Sequence, residues 1–336
     1  MKTLSRRSFL AASAAGAATL AMPGISRAGS LSDIISGAAP SGAGQAPAAG
    51  SVAGRPKLCL STYSLQNLAR DPQGIEKVIN YAADWGIDGV DILHRSLASE
   101  DNAYIQSVKQ LAYKNGVMLA CLSIDNDFVD PRPEFRQAQV NNVIRYVELA
   151  ARMGIPAIRL NSGGWGTAAR GSSLIERAQE GPMEGYTHDD GFAWIQDCIY
   201  KCLPAAEQNG VVMLLENHWG LSTTAERMLR IKNSVKSQWL SLLLDTANFA
   251  AEHYESIEKL LPESTFISCK TYQGGGFWMD FELDYERIFK MFHDANYRGY
   301  ITLEFEGRGD RIPSSIESLT LFKRLIDKYY TNYPVK

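Results

Sequence analysis

The sequence predicts an α/β protein folded as one (β/α)8 TIM barrel. Short β-rich runs and longer runs at helical spacing alternate eight times between residues 57 and 326. The β-rich runs are apolar almost without interruption, as strands covered on both faces must be. Several of them end in a charged residue, which in a barrel puts that charge at the C-terminal mouth, where such folds place their chemistry. An open doubly wound sheet is the alternative, but no Gly-x-Gly-x-x-Gly follows the first strand to favour it.

Residues 57–63 read as the first strand and 72–85 as its helix, with Asp71 as N-cap and Pro72 at the first helical position. The second strand (89–93) leads to a helix over 101–114 that Asn115-Gly116 stops. The third strand covers 117–123, and its helix (134–153) ends at Gly154. Strand four (157–161) is followed by an insertion over 162–189, too long for an ordinary connection unless it covers a site. Helix 192–208 leads to strand five (211–216), helix 223–233 to strand six (239–245) and a short helix over 252–260 to strand seven (265–270). Helix 284–296, strand eight (300–304) and helix 316–326 close the ring.

The chain ahead of residue 57 is not barrel material. Residues 1–28 place Arg6-Arg7 before a weakly hydrophobic, Ala-rich run from Leu10 to Met22, the pattern of a bacterial twin-arginine export signal. The run is short and poor in large side chains, which argues against a stable membrane span. The twin-arginine export machinery is therefore an expected partner, and the mature protein is expected in the periplasm or outside the cell. That route carries folded proteins, so a metal would be installed before release. Residues 29–56, rich in Gly, Ala and Ser with Pro40 and Pro47, read as a flexible tether, leaving 57–336 as the barrel domain.

With 45% apolar residues, the 336-residue chain can build one large core or two modest ones. Its net charge of -3, without a basic tail or aromatic-laced Lys/Arg stripe, excludes nucleic acid from the expected partners. Cys59, Cys121 and Cys269 sit in apolar strand runs and read as small buried hydrophobes. Cys198 and Cys202 share a helix face at i,i+4, an awkward geometry for a disulfide, and no Cys-x-x-Cys is present.

The strand ends carry the functional signal. Strand parity turns Val212, Leu214 and Glu216 to one face, Leu243 and Asp245 to another, and likewise pairs Ser268 with Lys270 and Thr302 with Glu304. A single carboxylate at a strand end can merely cap it in solvent; three on one barrel mouth suggest a joint role. Oxygen ligands from several strands would converge on one divalent cation, relieving the repulsion among Glu216, Asp245 and Glu304. Strands five and eight lie on nearly opposite walls, so a small substrate between them would meet one carboxylate on each side.

The segments Leu214-Leu215-Glu216-Asn217-His218-Trp219-Gly220, Leu244-Asp245-Thr246-Ala247-Asn248 and Tyr297-Arg298-Gly299-Tyr300-Ile301-Thr302-Leu303-Glu304-Phe305-Glu306-Gly307 resemble the xylose-isomerase-like barrel superfamily of sugar isomerases and epimerases. The resemblance spans the chain from about residue 57 onward. It implies that Glu216, Asp245 and Glu304 bind a divalent metal, commonly manganese, with Zn2+, Co2+ or Mg2+ as other possibilities. It also implies that Glu216 and Glu304 exchange substrate protons. Where the family has His-x-Lys on strand seven, this chain has Ser268-Cys269-Lys270, so a weak hydroxyl ligand replaces a histidine.

His218 is then a candidate nitrogen ligand, a candidate hydroxyl-orienting group, or a surface histidine. Lys270 is placed to hold an anionic group, polarise a carbonyl or offset the acidic ring. Asp91, His94, Arg159, Asn161 and Asn248 are placed to contact hydroxyls or balance charge, and Glu306 to support Glu304 or bind substrate. Tyr272 and Trp278 belong to a glycine-hinged aromatic loop that would close over a sugar face or simply pack.

The favoured expectation is a metal-assisted isomerase or epimerase acting on a small carbohydrate beside its carbonyl. Alternatives are a lyase or hydrolase of an oxidised glycoside and a non-enzymatic periplasmic sugar-binding protein. No glycine-rich cradle or pair of anion-binding arginines is evident, so a phosphate substrate lacks support. The superfamily's endonucleases use a histidine-rich multi-metal cluster, whereas this chain has five histidines in all.

Overall fold

A computed structural model describes residues 54–69, 71–169, 172, 174–249, 251–276 and 283–330. The expected export signal, the tether as far as residue 53, and Trp278 lie outside the described residues. Eight parallel strands hydrogen-bond in chain order and close on themselves: β1 (Lys57–Ser61), β2 (Gly89–Leu93), β3 (Met118–Ser123), β4 (Ala157–Leu160), β5 (Val212–Glu216), β6 (Leu240–Asp245), β7 (Ser264–Thr271) and β8 (Tyr300–Phe305). Closure leaves no free sheet edge, so every strand has ladder partners on both sides.

The alternation of side chains sorts each strand into two environments. Outward residues such as Leu215, Leu244, Ile267, Cys269 and Leu303 join the large core beneath the helices. Inward residues form a second, smaller apolar layer of Cys59, Ala120, Cys121, Ala157, Leu214, Leu243 and Phe266. This layer plugs the barrel below the mouth, so polar groups two residues further along the strands sit on a dry floor. All five cysteines are buried and unpaired, as expected.

The helices are α1 (Gln66–Ala69), α2 (Gly74–Asp84), α3 (Asn102–Lys114), α4 (Pro133–Met153), α5 (Leu174–Ala178), α6 (His188–Asn209), α7 (Ala225–Ser234), α8 (His253–Leu260), α9 (Tyr285–Asp294) and α10 (Arg311–Tyr330). None among the described residues is long and apolar enough to cross a membrane.

Three local expectations are corrected. β1 stops at Ser61, whose carbonyl accepts from the Ser64 amide at 3.0 Å, and the short α1 follows. Asp71 does not cap α2: the helix starts at Gly74, and the Asp71 carboxylate instead takes the Lys77 ammonium at 2.8 Å. The chain doubles back over α1 there, so tightly that a Cβ at Gly74 would lie 2.4 Å from the Leu68 carbonyl oxygen. Finally, α6 begins four residues before the expected 192, because Thr187 and Asp190 form a reciprocal capping box.

The insertion after β4 contains α5 and folds back over the end of β5. Gly163 lends its carbonyl to the Leu221 amide at 3.1 Å, and Glu180 accepts from the Trp165 amide at 2.5 Å. Gly220 makes this closeness possible. Its φ is +80°, and a Cβ there would lie 2.1 Å from the Gly163 oxygen. Replacing it therefore strains the backbone and forces apart the two loops that position His218 and Trp219. Gly220→Ala is expected to lower unfolding stability by about 2 kcal/mol or more, read as a lower urea midpoint. An unchanged midpoint would contradict this account of the loop.

Candidate active site at the barrel mouth

Above the apolar plug, the inward positions switch from hydrophobic to charged within one strand repeat. Leu214 is followed by Glu216, Leu243 by Asp245, Ala157 by Arg159, and Phe266 by Ser268 and Lys270. Glu216 is 1% exposed, Asp245 0% and Lys270 3%. Asp91, Arg159 and Glu306 are buried with them, and Glu304 is half-buried.

Oxygens of Glu216, Asp245 and Glu304 all lie within 4.8 Å of one another. Two protein cations attend them. Arg159 Nη1 stands 3.3 Å from Glu216 Oε2, while its Nη2 donates to Asp125 at 2.9 Å. Lys270 Nζ lies 3.6 Å from Asp245 Oδ2 and 3.2 Å from Glu306 Oε1, and donates to Asn248 Oδ1 at 2.9 Å.

Rigid supports fix the acids. Asp245 Oδ1 accepts from the amides of Ala247 (2.8 Å) and Asn248 (2.9 Å). Asn217 clasps the Asp245 backbone through both its carbonyl and its amide group, at 2.7 and 2.9 Å, tying β5 to β6. Ser268 Oγ donates to Glu304 Oε2 at 2.8 Å, and Ser123 Oγ to Asp91 Oδ1 at 2.7 Å.

Burial dominates the titration of these groups. It pushes Asp245 up to about 7 and Asp91 up to about 6, and raises Glu216 well above the usual carboxylate range despite Arg159 beside it. Glu306 is raised for the same reason. Burial would lower Lys270, but Asp245, Glu306 and Glu304 outweigh it, so the ammonium is held well above its ordinary range. That removes the neutral amine a Schiff base would need. His218 is held well below its ordinary value by burial and then by Lys270 and Arg159, so its ring is neutral.

The donor set fits a divalent cation. Fully ionised, Asp91, Glu216, Asp245, Glu304 and Glu306 exceed Arg159 and Lys270 by three charges. Glu216 Oε2 and Asp245 Oδ2 are buried without a hydrogen-bond partner. Ion–oxygen bonds of about 2.0–2.6 Å let one central ion reach oxygens spaced as these are. Glu216, Asp245 and Glu304 could thus coordinate a divalent metal.

A cavity of about 250 Å³ opens beside Glu304 of the triad. Arg159, His218, Asn248, Lys270, Glu304 and Glu306 border it, joined by residues that strand-end reasoning passed over: Tyr63, Arg95, Asp125, Ser172, Arg177 and Trp219. Arg95 and Asp125 follow strands two and three directly, so a search of every strand end would have found them. Arg95, Arg159 and Arg177, distant in sequence, line one cavity.

Other expected site residues stand apart from the cavity. His94 has both ring nitrogens engaged, Nε2 with Glu100 at 2.6 Å and Nδ1 with the Tyr146 hydroxyl at 3.0 Å. Asn161 is buried, its backbone exchanging hydrogen bonds with the Asn126 side chain at 2.8 and 2.9 Å. Tyr272 does not line the cavity but packs half-buried on the core, close enough that Lys270, Glu306, Asp245 and Glu304 act on its hydroxyl. His218 is not part of the trio able to share one ion.

The family model for the xylose isomerase-like TIM barrel matches residues 79–325. The chain belongs to that family. Among solved structures, it is similar to the 3-keto-D-glucoside 4-epimerase YcjR from E. coli, with a TM-score of 0.63, 17% identity, and coverage of 80% of this chain and 100% of that one. It is similar to an L-ribulose 3-epimerase (TM-score 0.66, 14% identity, 84% and 99% coverage). It also resembles the D-psicose 3-epimerase with D-tagatose from Clostridium cellulolyticum H10 (TM-score 0.59, 15% identity, 82% and 95% coverage). Identities this low establish the shared fold. Comparison with curated protein sequences gives no match.

A cation at the triad needs ionised carboxylates, whereas burial raises Asp245 to about 7 and shifts Glu216 upward. Binding therefore releases protons, and affinity for Mn2+ is expected to fall as pH drops from 8 to 6, by about tenfold per pH unit for each proton released. Calorimetry in two buffers of different ionisation enthalpy is expected to give at least one proton released per ion at pH 6.5. Binding without proton release would contradict the titration described for these acids.

Proposed function

We propose that this protein is a divalent-metal-dependent isomerase or epimerase of a sugar or sugar derivative, moving a proton at the carbon beside a carbonyl. The observation that carries the reading is the convergence of Glu216, Asp245 and Glu304 from β5, β6 and β8 to within 4.8 Å of one another, with Glu304 bordering a small cavity. Similarity to a keto-glucoside epimerase and two ketose epimerases supports the same reaction class. With oxygen donors only in the trio, Mn2+ or Mg2+ suits the site better than Zn2+ or Co2+. Bound there, the cation would supply Lewis-acid polarisation of neighbouring carbonyl and hydroxyl oxygens.

Glu216 and Glu304 are the acid/base pair in this reading. Arg159 favours the ionised form of Glu216 and so readies it as a base. Ser268 holds one oxygen of Glu304 and leaves the other to deliver or accept a proton on the opposite side of the substrate. A reacting carbon sits about 3–3.5 Å from each oxygen that exchanges its proton. The two glutamate oxygens must then stand wider than 4.8 Å around a substrate, and Glu304, half-buried, has the room to open. Lys270 and Asn248 offer N–H donors to a carbonyl or hydroxyl oxygen, and the neutral His218 orients another hydroxyl. Asp245 anchors the cation without occupying either approach.

The test is solvent exchange. Ketoses and 3-keto-glycosides incubated with the enzyme and Mn2+ in deuterated water are expected to take up deuterium beside the carbonyl. Glu216→Gln and Glu304→Gln should each slow this by roughly 10²–10⁴ with the fold intact. Exchange surviving in both variants would overturn the residue assignment, and glycoside cleavage without isomerised product would assign a lyase or hydrolase instead.

Export is part of the proposal. Arg6-Arg7 and the following run direct the folded protein to the periplasm or beyond, where small carbohydrates are met before uptake. Replacing both arginines by lysine is expected to retain the precursor in the cytoplasm. Unchanged periplasmic recovery would rule out this route.

A further inference from the structure

The cavity has two tiers of opposite character. Its carboxylate floor is Glu304 and Glu306; its wall is rich in donors. Arg95 on the turn after β2, Arg159 on β4 and Arg177 on α5 all face the same space. Asp125 serves two of them, accepting from Arg95 at Oδ2 and from Arg159 at Oδ1, both at 2.9 Å. Glu216 takes the other arm of Arg159. Arg177 donates to the Ser172 carbonyl at 3.2 Å and meets no carboxylate among the described residues. Three guanidiniums thus share two carboxylates along this wall.

A second observation points the same way. Asn248 is 4% exposed and borders the cavity, yet its Nδ2 has no acceptor, because Lys270 occupies only its Oδ1. A buried amide donor left open costs free energy unless a ligand supplies an oxygen. His218 borders the same cavity as Lys270, Arg159, Arg177 and Arg95. A molecule that satisfies this wall must bring acceptors, and beside two accessible guanidinium forks an oxyanion fits better than a hydroxyl.

We propose that the wall is a subsite for an anionic substituent of the substrate, a carboxylate or a phosphate, held by Arg95 and Arg177 while the reacting carbons lie over the carboxylate floor. The enzyme would then handle acidic sugars in preference to neutral ones. This rests on the reading of the cavity as a sugar site, but not on which bond chemistry follows.

The test uses the full chain with Mn2+ and three ketohexose probes that differ at carbon 6: D-fructose, D-fructuronate and D-fructose 6-phosphate. Calorimetry is expected to show at least one anionic probe binding about tenfold more tightly than fructose, a difference of about 1.4 kcal/mol. Whichever anionic probe gains identifies the substituent. Arg177→Ala and Arg95→Ala should each remove most of that gain, costing the favoured anionic probe more affinity than fructose, Arg177→Lys should keep part of it, and 0.5 M NaCl should shrink it. Equal binding of all three probes, no measurable binding by any, or a gain that persists in the double alanine variant would overturn the proposal. A protein that shows the anion preference but exchanges no deuterium keeps this subsite and loses the reaction proposed above.

Discussion

Carboxylates buried faster than they are neutralised are the constraint from which the site follows. Five of them share the barrel mouth with two buried cations, and an unpaired buried charge is among the most expensive features a fold can carry. In a flexible protein the acids would separate. Here they cannot, because Asp91, Glu216, Asp245 and Glu304 sit on strands hydrogen-bonded on both sides, the Glu306 amide is tied to the Thr271 carbonyl, and Asn217 further locks β5 to β6. Burial, with that repulsion added, therefore raises the titration of Asp245, Asp91 and Glu216. A divalent cation among them would neutralise most of the excess.

Strand parity made the floor of the site legible in the sequence. Period-two alternation in β5, β6, β7 and β8 sends Glu216, Asp245, Lys270 and Glu304 inward, and closure brings their side chains together wherever they lie in the chain. Parity fails where a strand has ended. His94 begins a 3-10 turn, which rotates its ring onto Tyr146 and Glu100 instead of the mouth. Asp71 looked like a helix cap because Pro72 follows it, but the crossing of α1 near Gly74 set the start of α2. Arg177 gave no signal of its own, since nothing in a 28-residue insertion says which side chain returns to the barrel axis.

Ser268 shows how one substitution redirects a site without dismantling it. At the position where the family resemblance implies a histidine, its hydroxyl braces Glu304 instead of adding a nitrogen to the trio. The cost is a weaker donor set; the gain is a fixed orientation for one of the two glutamates. Arg159 and Lys270 then supply the positive charge that keeps the remaining acids in place. The same two cations link the acidic floor to the donor wall, so substrate orientation and proton transfer depend on one charge network.

The central claim is that Glu216, Asp245 and Glu304 share one cation. Diffraction from crystals equilibrated with Mn2+, recorded for anomalous scattering, tests it most directly. The account predicts a single anomalous peak with an oxygen of each of the three within about 2.0–2.6 Å, Ser268 still bonded to Glu304, and Lys270 displaced no further than Glu306 and Asn248 allow. Under saturating Mn2+, no peak at the trio, with Arg159 and Lys270 unmoved against Glu216 and Asp245, would contradict it.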